Sequence, residues 1–386
     1  MDIDAPLALL GGLSPRRFMR THWQRKPLLV RQAVAGLAPA LDRRALFALA
    51  ARDDVESRLV RQGPAGWSLR RGAPLPRSSL PAVRTPRWTL LVQGADVHDE
   101  ALHGLLQQFR FVPDARLDDL MVSWASDGGG VGPHFDSYDV FLLQAQGRRR
   151  WRIGRQRDLR LRDDVPLKIL ARFVHEQEFV LEPGDMLYLP PRWAHDGVAV
   201  GECMTYSIGF RAPGRDELAR ELLQRVAEGA ADPERTGPLY ADAGQPAALR
   251  PGELPPALQD FARAAVARAL ADPVALPLAL GEYLTEPKAA VWFEAGAAPR
   301  PGQLLRLDRR SRMLYDEQHV YLNGEAYRAR GRDARLMRRL ADERMLPAPA
   351  WQGASAGARA LLVQWCRAGW LQAVAAPVPS AKRSVR

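Results

Sequence analysis

The sequence predicts a mainly β core of antiparallel strands that form a sandwich or barrel, followed by helices and a mixed α/β unit. Between residues 117 and 211, short apolar runs of strand-like composition follow one another closely. Glycine and proline separate several of these runs, as in tight turns. Helical patterns do not alternate with them, which disfavours a parallel sheet. The runs are DLMVSWAS (119–126), YDVFLLQAQ (138–146), RRRWRIG (148–154), QEFVLE (177–182), DMLYLP (185–190), DGVAV (196–200) and CMTYSIGFR (203–211).

Shorter elements precede this core. Apolar spacing predicts a helical turn over 16–23, a strand over 27–34, a helix over 43–52 and a buried strand over 88–96. After the core the spacing becomes helical, with apolar stripes over 216–229 and 257–271. These stripes could pack within one chain or against a second subunit.

The C-terminal part mixes strands and helices. LLRLDRR and VYLNGEAYRA have the composition of strands, and Asn323-Gly324 is a strong hairpin turn signal. Helical spacing follows over 333–344 and 355–368. We therefore expect a β core domain over residues 1–212, a helical region over 213–285, a winged-helix-like domain over 286–376 and a frayed tail over 377–386.

Composition excludes several classes of protein. The two cysteines, Cys203 and Cys366, lie far apart, which disfavours a disulfide framework or a cysteine-rich zinc site. No apolar run is long enough to span a membrane, and the acidic N-terminus does not resemble a signal peptide, so we expect a cytoplasmic protein without membrane contact. The net charge of +11 favours weak attraction to nucleic acid or ribosomes. Because arginine is spread along the chain, we expect no direct nucleic-acid binding.

The segment GGGVGPHFD carries the main chemical signal. Residues i and i+2 of a strand share a face, so His134 and Asp136 present an imidazole and a carboxylate side by side. EPGDMLYLPPRWAH ends on His195, which a short strand and a Pro-Pro pair would aim in a fixed direction. Two histidines and one carboxylate form the facial triad of non-haem iron enzymes, although a zinc cupin remains an alternative.

Strand alternation points to a second site residue. Between Phe141 and Ile153, the odd positions are apolar and should face inward, and Arg149 is the single charge among them. A buried guanidinium needs an anion, which could be a dicarboxylate ligand or a core Asp or Glu. The alternation therefore predicts an inward arginine without fixing its partner.

These segments resemble the JmjC-type oxygenases and, more closely, the bacterial ribosomal oxygenases. The resemblance rests on SWASDGGGVGPHFDSYDVFLLQAQGRRRWRIG, LEPGDMLYLPPRWAHDG and YSIGFRAP, with HWQRKPLLVR and WTLLVQ upstream. It covers residues 15–215 and is looser beyond them, where the family has a helical dimerisation region and a winged-helix-like domain. It implies a double-stranded β-helix, or jelly-roll, core of the cupin/JmjC type.

The resemblance also implies roles by position. His134, Asp136 and His195 would hold iron(II). Arg149 would hold the distal carboxylate of 2-oxoglutarate, and Ser123 would also touch this co-substrate.

A substrate arginine would lie among Asp119, Met121, Tyr138 and Ser207. The carboxylate of Asp119 would neutralise the guanidinium, although Asp119 could instead cap the start of its strand. Thr205 stands where we expect asparagine in close relatives, and this departure bears on fine pocket geometry.

The implied activity is an iron(II)-, 2-oxoglutarate- and O2-dependent hydroxylation. Its target would be the β-carbon of an arginine in large-subunit ribosomal protein sixteen, and the enzyme would be a homodimer. Two alternatives remain open: the same chemistry on a histidine of another ribosomal protein, and a non-catalytic cupin scaffold that binds nucleic acid. The basic residues that would serve this scaffold are Arg330, Arg332, Arg335, Arg338 and Arg339.

Overall fold

The computed structural model describes residues 2–230, 238–243, 250 and 252–375. The chain divides into two compact units, Met1–Ala212 and Pro213–Arg386. The expected tail over 377–386 and part of the proline-rich stretch before the second helical stripe lie outside the described residues.

The first unit is a large antiparallel sheet with short helices before it. The sheet order is β1-β8-β6-β9-β5-β4-β2-β3, with β7 also paired to β6. This is the predicted jelly-roll core of cupin/JmjC type. Its elements are α1 (Pro15–Thr21), β1 (Leu28–Val30), α2 (Arg43–Ala50), β2 (Ser57–Gly63), β3 (Gly66–Gly72), β4 (Trp88–Val92), α3 (Glu100–Gln107), β5 (Leu117–Ala125), β6 (Val140–Arg155), β7 (Gln177–Leu181), β8 (Met186–Leu189) and β9 (Trp193–Phe210).

Two long strands replace four of the predicted short ones. The runs over 138–146 and 148–154 join as β6, and the runs over 196–200 and 203–211 join as β9. The two strands pair with each other along most of their length, with register shifts between Gln144 and Arg148. A glycine at this point, Gly147, adopts a φ of +62°, which only glycine adopts readily.

The register shift reverses the alternation that the sequence predicted for β6. Phe141 and Leu143 belong to the large apolar core of the unit. Trp151 and Ile153, of the same parity, belong to a second cluster with Leu142, of the opposite parity. The expectation that all odd positions share one face was therefore wrong, because a β-bulge changes the side to which later residues point.

The strand β5 separates the apolar core from the other side of the sheet. Its even residues, such as Val122 and Trp124, pack in the large core. Its odd residues, Asp119, Met121 and Ser123, must point to the opposite side. That side is where the candidate site lies.

The described residues of the second unit form six helices and two small sheets. Its winged-helix-like part has one apolar core, in which Leu305, Leu340, Leu362 and Trp365 are fully buried. Asn323 and Gly324 both have positive φ, as the predicted hairpin turn requires. Its elements are α4 (Arg215–Ala230), α5 (Pro256–Leu270), α6 (Ala275–Thr285), β10 (Leu304–Leu307), β11 (Met313–Tyr315), β12 (His319–Leu322), β13 (Glu325–Arg328), α7 (Gly331–Glu343), β14 (Met345–Leu346), α8 (Ala348–Gln352), α9 (Ala356–Arg367) and β15 (Leu371–Val374).

The helix α5 differs from its neighbours in its exposure. It packs against α4 and α6, yet none of its residues is buried. Among the described helices, none is by itself long and apolar enough to cross a membrane; only α5 and α6 taken together pass that test, and they are bent by 64°.

Candidate active site

Two histidines from distant parts of the chain meet at the open end of the β core. The backbone of His134 pairs with that of His195 through hydrogen bonds of 3.0 and 2.8 Å. Their ring centroids are 4.2 Å apart. The glycine-rich loop before His134 makes this approach possible, since a Cβ on Gly130 would lie 2.6 Å from the carbonyl oxygen of Gly197.

Backbone carbonyls fix the orientation of both imidazoles. The Nδ1 atom of His134 lies 2.8 Å from the carbonyl oxygen of Gly132, and Nδ1 of His195 lies 3.0 Å from that of Trp193. An Nδ1–H that donates to a carbonyl leaves Nε2 as the free lone pair. Burial, together with the neighbouring His134, lowers the pKa of His195 to about 4, so this imidazole is neutral at pH 7.

A carboxylate completes the cluster. Oδ2 of Asp136 lies 3.7 Å from Nε2 of His195. One ligand atom from each of His134, Asp136 and His195 lies within 4.8 Å of the others, and this is the one such group in the described part of the chain. Two imidazoles and one carboxylate suit a divalent iron ion and leave coordination positions open for other ligands.

A buried arginine lies beside this cluster. Arg149 is 5% exposed, and its Nη1 donates to Oγ of Ser123 at 3.3 Å. Its Nε and Nη2 are buried without a hydrogen-bond partner among the described residues. Because a buried guanidinium with unused donors is costly, this site fits a carboxylate ligand.

Small residues surround the arginine. Register places Ala199 directly across from Arg149, and Ala199 forms a separate buried cluster with Ala125 and Cys203. Gly197 stands across from Trp151, where a Cβ would lie 2.5 Å from the indole ring. The absence of a side chain at Gly197 thus lets the Trp151 indole lie against the backbone of β9.

The residue Thr205 has a defined role in the pocket wall. Its Oγ1 donates to Oε1 of Gln144 at 3.0 Å, and its carbonyl oxygen accepts from Ser123. The amide nitrogen of Gln144 in turn donates to the carbonyl of Gln146, inside the β-bulge. This chain of hydrogen bonds links Thr205 to the feature that turns Arg149 inward. The alternation of the strand wrongly placed Gln144 on the outer face, so this residue was not predicted as part of the site. The available signal was its position as a polar residue in an apolar run, shortly before Gly147.

The expected substrate positions lie on the same side of the sheet. Met121 pairs with Ser207 across β5 and β9, and Asp119 pairs with Gly209. Asp119 is 5% exposed, and its Oδ2 accepts from the backbone N–H of Gly94 at 3.1 Å. This hydrogen bond is to the backbone of a neighbouring loop and differs from the cap at the start of its own strand that the sequence left open for Asp119.

Tyr138 lies between this region and the cluster of His134, Asp136 and His195. Although 41% of the residue is exposed, its hydroxyl lies close to Asp136 and Asp119. Partial burial and these two carboxylates raise the pKa of Tyr138 above its usual value. The tyrosine therefore stays a neutral hydrogen-bond donor at the mouth of the site.

A histidine–carboxylate cluster next to a buried arginine, inside a jelly-roll core, defines an oxygenase that depends on a metal and 2-oxoglutarate. The comparisons with known proteins agree. Residues 104–218 match the JmjC domain, and residues 268–372 match the ROXA-like winged helix.

Individual relatives narrow the family. The chain is 32% identical over 321 residues to the ribosomal protein uL16 3-hydroxylase of Escherichia coli, over 80% of this chain and 84% of the relative. The structure of YcfD, a ribosomal oxygenase from Escherichia coli, in complex with cobalt and 2-oxoglutarate, matches with a TM-score of 0.77 and 30% identity, over 93% of this chain and 98% of that one. The chain is also 36% identical over 76 residues to the bifunctional lysine-specific demethylase and histidyl-hydroxylase NO66 of Dictyostelium discoideum. This shorter match covers 18% of this chain and 14% of the relative.

The chain therefore belongs to the JmjC-type ribosomal oxygenases, which are 2-oxoglutarate-dependent dioxygenases. Its cofactors are Fe(II), 2-oxoglutarate and O2, as in the rest of that family.

Proposed function

We propose that this enzyme hydroxylates the β-carbon of an arginine in large-subunit ribosomal protein uL16. The name of the Escherichia coli relative specifies uL16 and carbon 3, which is the β-carbon of an amino-acid residue. The observation that carries the choice of arginine is the buried carboxylate of Asp119 near Tyr138 and the metal cluster. The carboxylate would neutralise a cationic side chain there, whereas a neutral imidazole would gain little electrostatic stabilisation.

Five side chains are proposed to hold the metal and the co-substrate. His134, Asp136 and His195 would bind the iron ion, and their backbone-held imidazoles need no rearrangement to do so. Arg149 and Ser123 would bind the distal carboxylate of 2-oxoglutarate through the guanidinium nitrogens that have no hydrogen-bond partner among the described residues. With these groups bound, the site would couple oxidative decarboxylation of 2-oxoglutarate to insertion of one oxygen atom into a C–H bond.

The substrate side chain would enter along the face of β5. Met121 and Ser207, which pair across two strands, would cover its aliphatic part. The hydroxyl of Tyr138, held near Asp136, would close the side toward the metal. The fixed geometry of these strand residues would orient the target carbon.

The helices α4, α5 and α6 are proposed to form a homodimer interface. Phe261 and Val266 of α5 are 38% and 59% exposed, and Leu276 and Leu280 of α6 are 39% and 36% exposed. A second copy of the same helices would cover these apolar side chains. We place the enzyme in the cytoplasm, because the proposed substrate belongs to the ribosome.

The C-terminal arginines favour this catalytic function over a nucleic-acid-binding scaffold. Arg332 donates to the carbonyl of Gly353, and Arg338 donates to backbone carbonyls at 316 and 317. Arg339 pairs with Glu343 at 2.9 Å. Three of the five arginines that such a scaffold would use therefore already have partners within the chain.

Mass spectrometry of a reacted peptide tests the function. The enzyme, loaded anaerobically with Fe(II) and 2-oxoglutarate, is mixed with a peptide from the arginine-bearing loop of uL16 and exposed to air. We expect a gain of one oxygen atom on arginine, absent in His134→Ala and Arg149→Ala and retained in His175→Ala, whose histidine is exposed outside the cluster. Oxidation of a histidine in another ribosomal protein would replace the proposed target, and no turnover with any ribosomal material would contradict the function.

A further inference from the structure

One segment of the first unit has an unusual charge pattern. Residues 57–95 contain seven arginines and no aspartate or glutamate, although acids make up 44 of the 386 residues. The segment therefore carries a charge of +7, most of the net +11 of the whole chain. It forms the hairpin of β2 and β3, the loop that returns from the hairpin, and β4.

Most arginines of this segment are exposed and lack acidic partners. Arg58 pairs with Glu56 at 2.7 Å, and Arg77 donates to a backbone carbonyl. Elsewhere in the unit, several exposed arginines have carboxylate partners, as Arg160 has in Asp158 and Arg16 has in Asp4. Five arginines, here called the hairpin surface, form no ion pair or side-chain hydrogen bond among the described residues: Arg61, Arg70, Arg71, Arg84 and Arg87.

The strand register places these arginines on the two faces of one hairpin. Arg71 stands directly across from Arg58, a like-charge pair that costs stability. Arg70 stands across from Leu59, so Arg70 and Arg61 share the other face of the hairpin. The backbone of Arg87 accepts a hydrogen bond from the N–H of Gln62, which places Arg87 beside the hairpin.

Protection of the sheet edge does not explain this pattern. The strand β3 is the last in the sheet order, and charges on an edge strand prevent pairing with other strands. Charges of either sign serve that purpose, yet here every charge is positive. The absence of acids over the whole segment favours an anionic partner.

We propose that the hairpin surface binds the phosphate backbone of RNA. Guanidinium groups match phosphate in shape and charge, and five exposed arginines on one hairpin and its return loop can neutralise several phosphates at once. The choice of RNA over a lipid surface rests on the proposed function, because a ribosomal protein substrate lies among RNA phosphates. This inference replaces the expectation of no nucleic-acid binding, which assumed that the arginines are evenly spread.

Binding of the full-length protein to a fluorescein-labelled single-stranded RNA tests the proposal. Fluorescence anisotropy over a range of KCl concentrations gives the slope of log K against log salt, to which each phosphate contact adds about 0.7. The triple variant Arg61→Glu, Arg70→Glu, Arg71→Glu is expected to lower this slope by about 2 and to weaken binding at least about tenfold. The control variant, Arg16→Glu, Arg160→Glu, Arg162→Glu, has the same change in charge at ion-paired arginines and should bind RNA like the wild type.

Further measurements separate this proposal from the proposed function. Circular dichroism should show that both triple variants are folded, and hydroxylation of the short uL16 peptide should be unchanged in both. Peptide hydroxylation without RNA binding, or equal RNA binding by both variants, would overturn the RNA surface and leave the enzyme function intact. RNA binding that depends on the hairpin surface in a protein inactive on the peptide would overturn only the enzyme function. Hairpin-dependent binding to phosphatidylglycerol vesicles but not to RNA would assign the surface to membranes.

Discussion

Arg149 Nη1 lies 3.3 Å from Ser123 Oγ, and this is the single hydrogen bond that the guanidinium makes among the described residues. The bond ties β6 to β5. The other two guanidinium nitrogens, Nε and Nη2, are buried without a hydrogen-bond partner among the described residues.

Removal of this guanidinium should selectively weaken the binding of the co-substrate 2-oxoglutarate. We expect Arg149→Ala to raise the KM for 2-oxoglutarate on the order of 100-fold, the loss of about 2.7 kcal/mol from charged hydrogen bonds. Succinate formation at varied 2-oxoglutarate concentrations measures it. Arg148→Ala, one residue away and exposed, is the matched control. Equal KM values in the two variants would rule out the assigned role.

The β-bulge can be tested with a pair of glycines. Gly147 and Gly201 both have positive φ, but a Cβ on Gly147 would lie 2.1 Å from the carbonyl oxygen of Glu202, whereas nothing lies within 4 Å at Gly201. Gly147→Ala should lower the free energy of unfolding by about 1–3 kcal/mol more than Gly201→Ala. It should also raise the KM for 2-oxoglutarate, because the bulge directs Arg149. Urea denaturation and co-substrate kinetics measure both effects; similar values for both variants would contradict this.

One substitution removes the charge of Asp119 and keeps its hydrogen bond to the backbone of Gly94. In Asp119→Asn, the amide oxygen still accepts from the N–H of Gly94. We expect kcat/KM for the arginine peptide to fall roughly 10- to 100-fold, since a charged contact contributes about 1.5–3 kcal/mol. Turnover of 2-oxoglutarate without peptide should not change, and thermal unfolding checks the fold. A variant as active on the peptide as the wild type would mean that Asp119 serves only to hold the backbone of Gly94.

The turn before β8 should make stability depend on pH. Burial would raise the pKa of Asp185, but backbone N–H groups of Gln32 and Glu182 and the guanidinium of Arg31 outweigh it and hold the pKa below its usual 3.8. A lowered pKa contributes stability above pH 4 that is lost as the pH falls through the folded value. Asp185→Asn should therefore cost about 1–3 kcal/mol at pH 7, and the difference should shrink below pH 4. Urea unfolding at several pH values measures it, and a pH-independent difference would contradict the assignment.

The proposed dimer can be separated by charge. Phe261→Glu with Val266→Glu should halve the mass measured by light scattering, because two carboxylates cannot be buried between apolar helices. Trp292→Glu, at a position 66% exposed outside these helices, is the control and should keep the wild-type mass. A wild-type protein that is already monomeric would contradict the interface.

The sequence predicts the core strands well where alternation is regular. On β5, parity alone separates Trp124 from Ser123, and the structure places the first in the apolar core. On β6, parity alone does not place Phe141 correctly relative to the later residues of the strand. The register shift near Gly147 arises from pairing with β9, and this pairing cannot be seen in the sequence of β6 alone. The β2–β3 hairpin was missed for a similar reason, since its exposed edge strand has no strong apolar pattern.

The candidate site shows the same division. The spacing of His134 and Asp136, and the rigid approach to His195, can be predicted from local sequence. The carbonyls of Gly132 and Trp193 that orient the imidazoles cannot, because backbone direction depends on the folded loop. The link from Thr205 to Gln144 joins residues 61 positions apart and is equally invisible in the sequence.

A single strand, β9, carries His195 near its start and Ser207 near its end. The distance between the proposed metal ligand His195 and the proposed substrate contact Ser207 is therefore set by the number of residues between them in this strand. Insertion or deletion of one residue between them would turn one of the two out of the cavity. A change of target that keeps the metal ligands in place would therefore require exchange of side chains at fixed positions of β9 and not a change in this spacing.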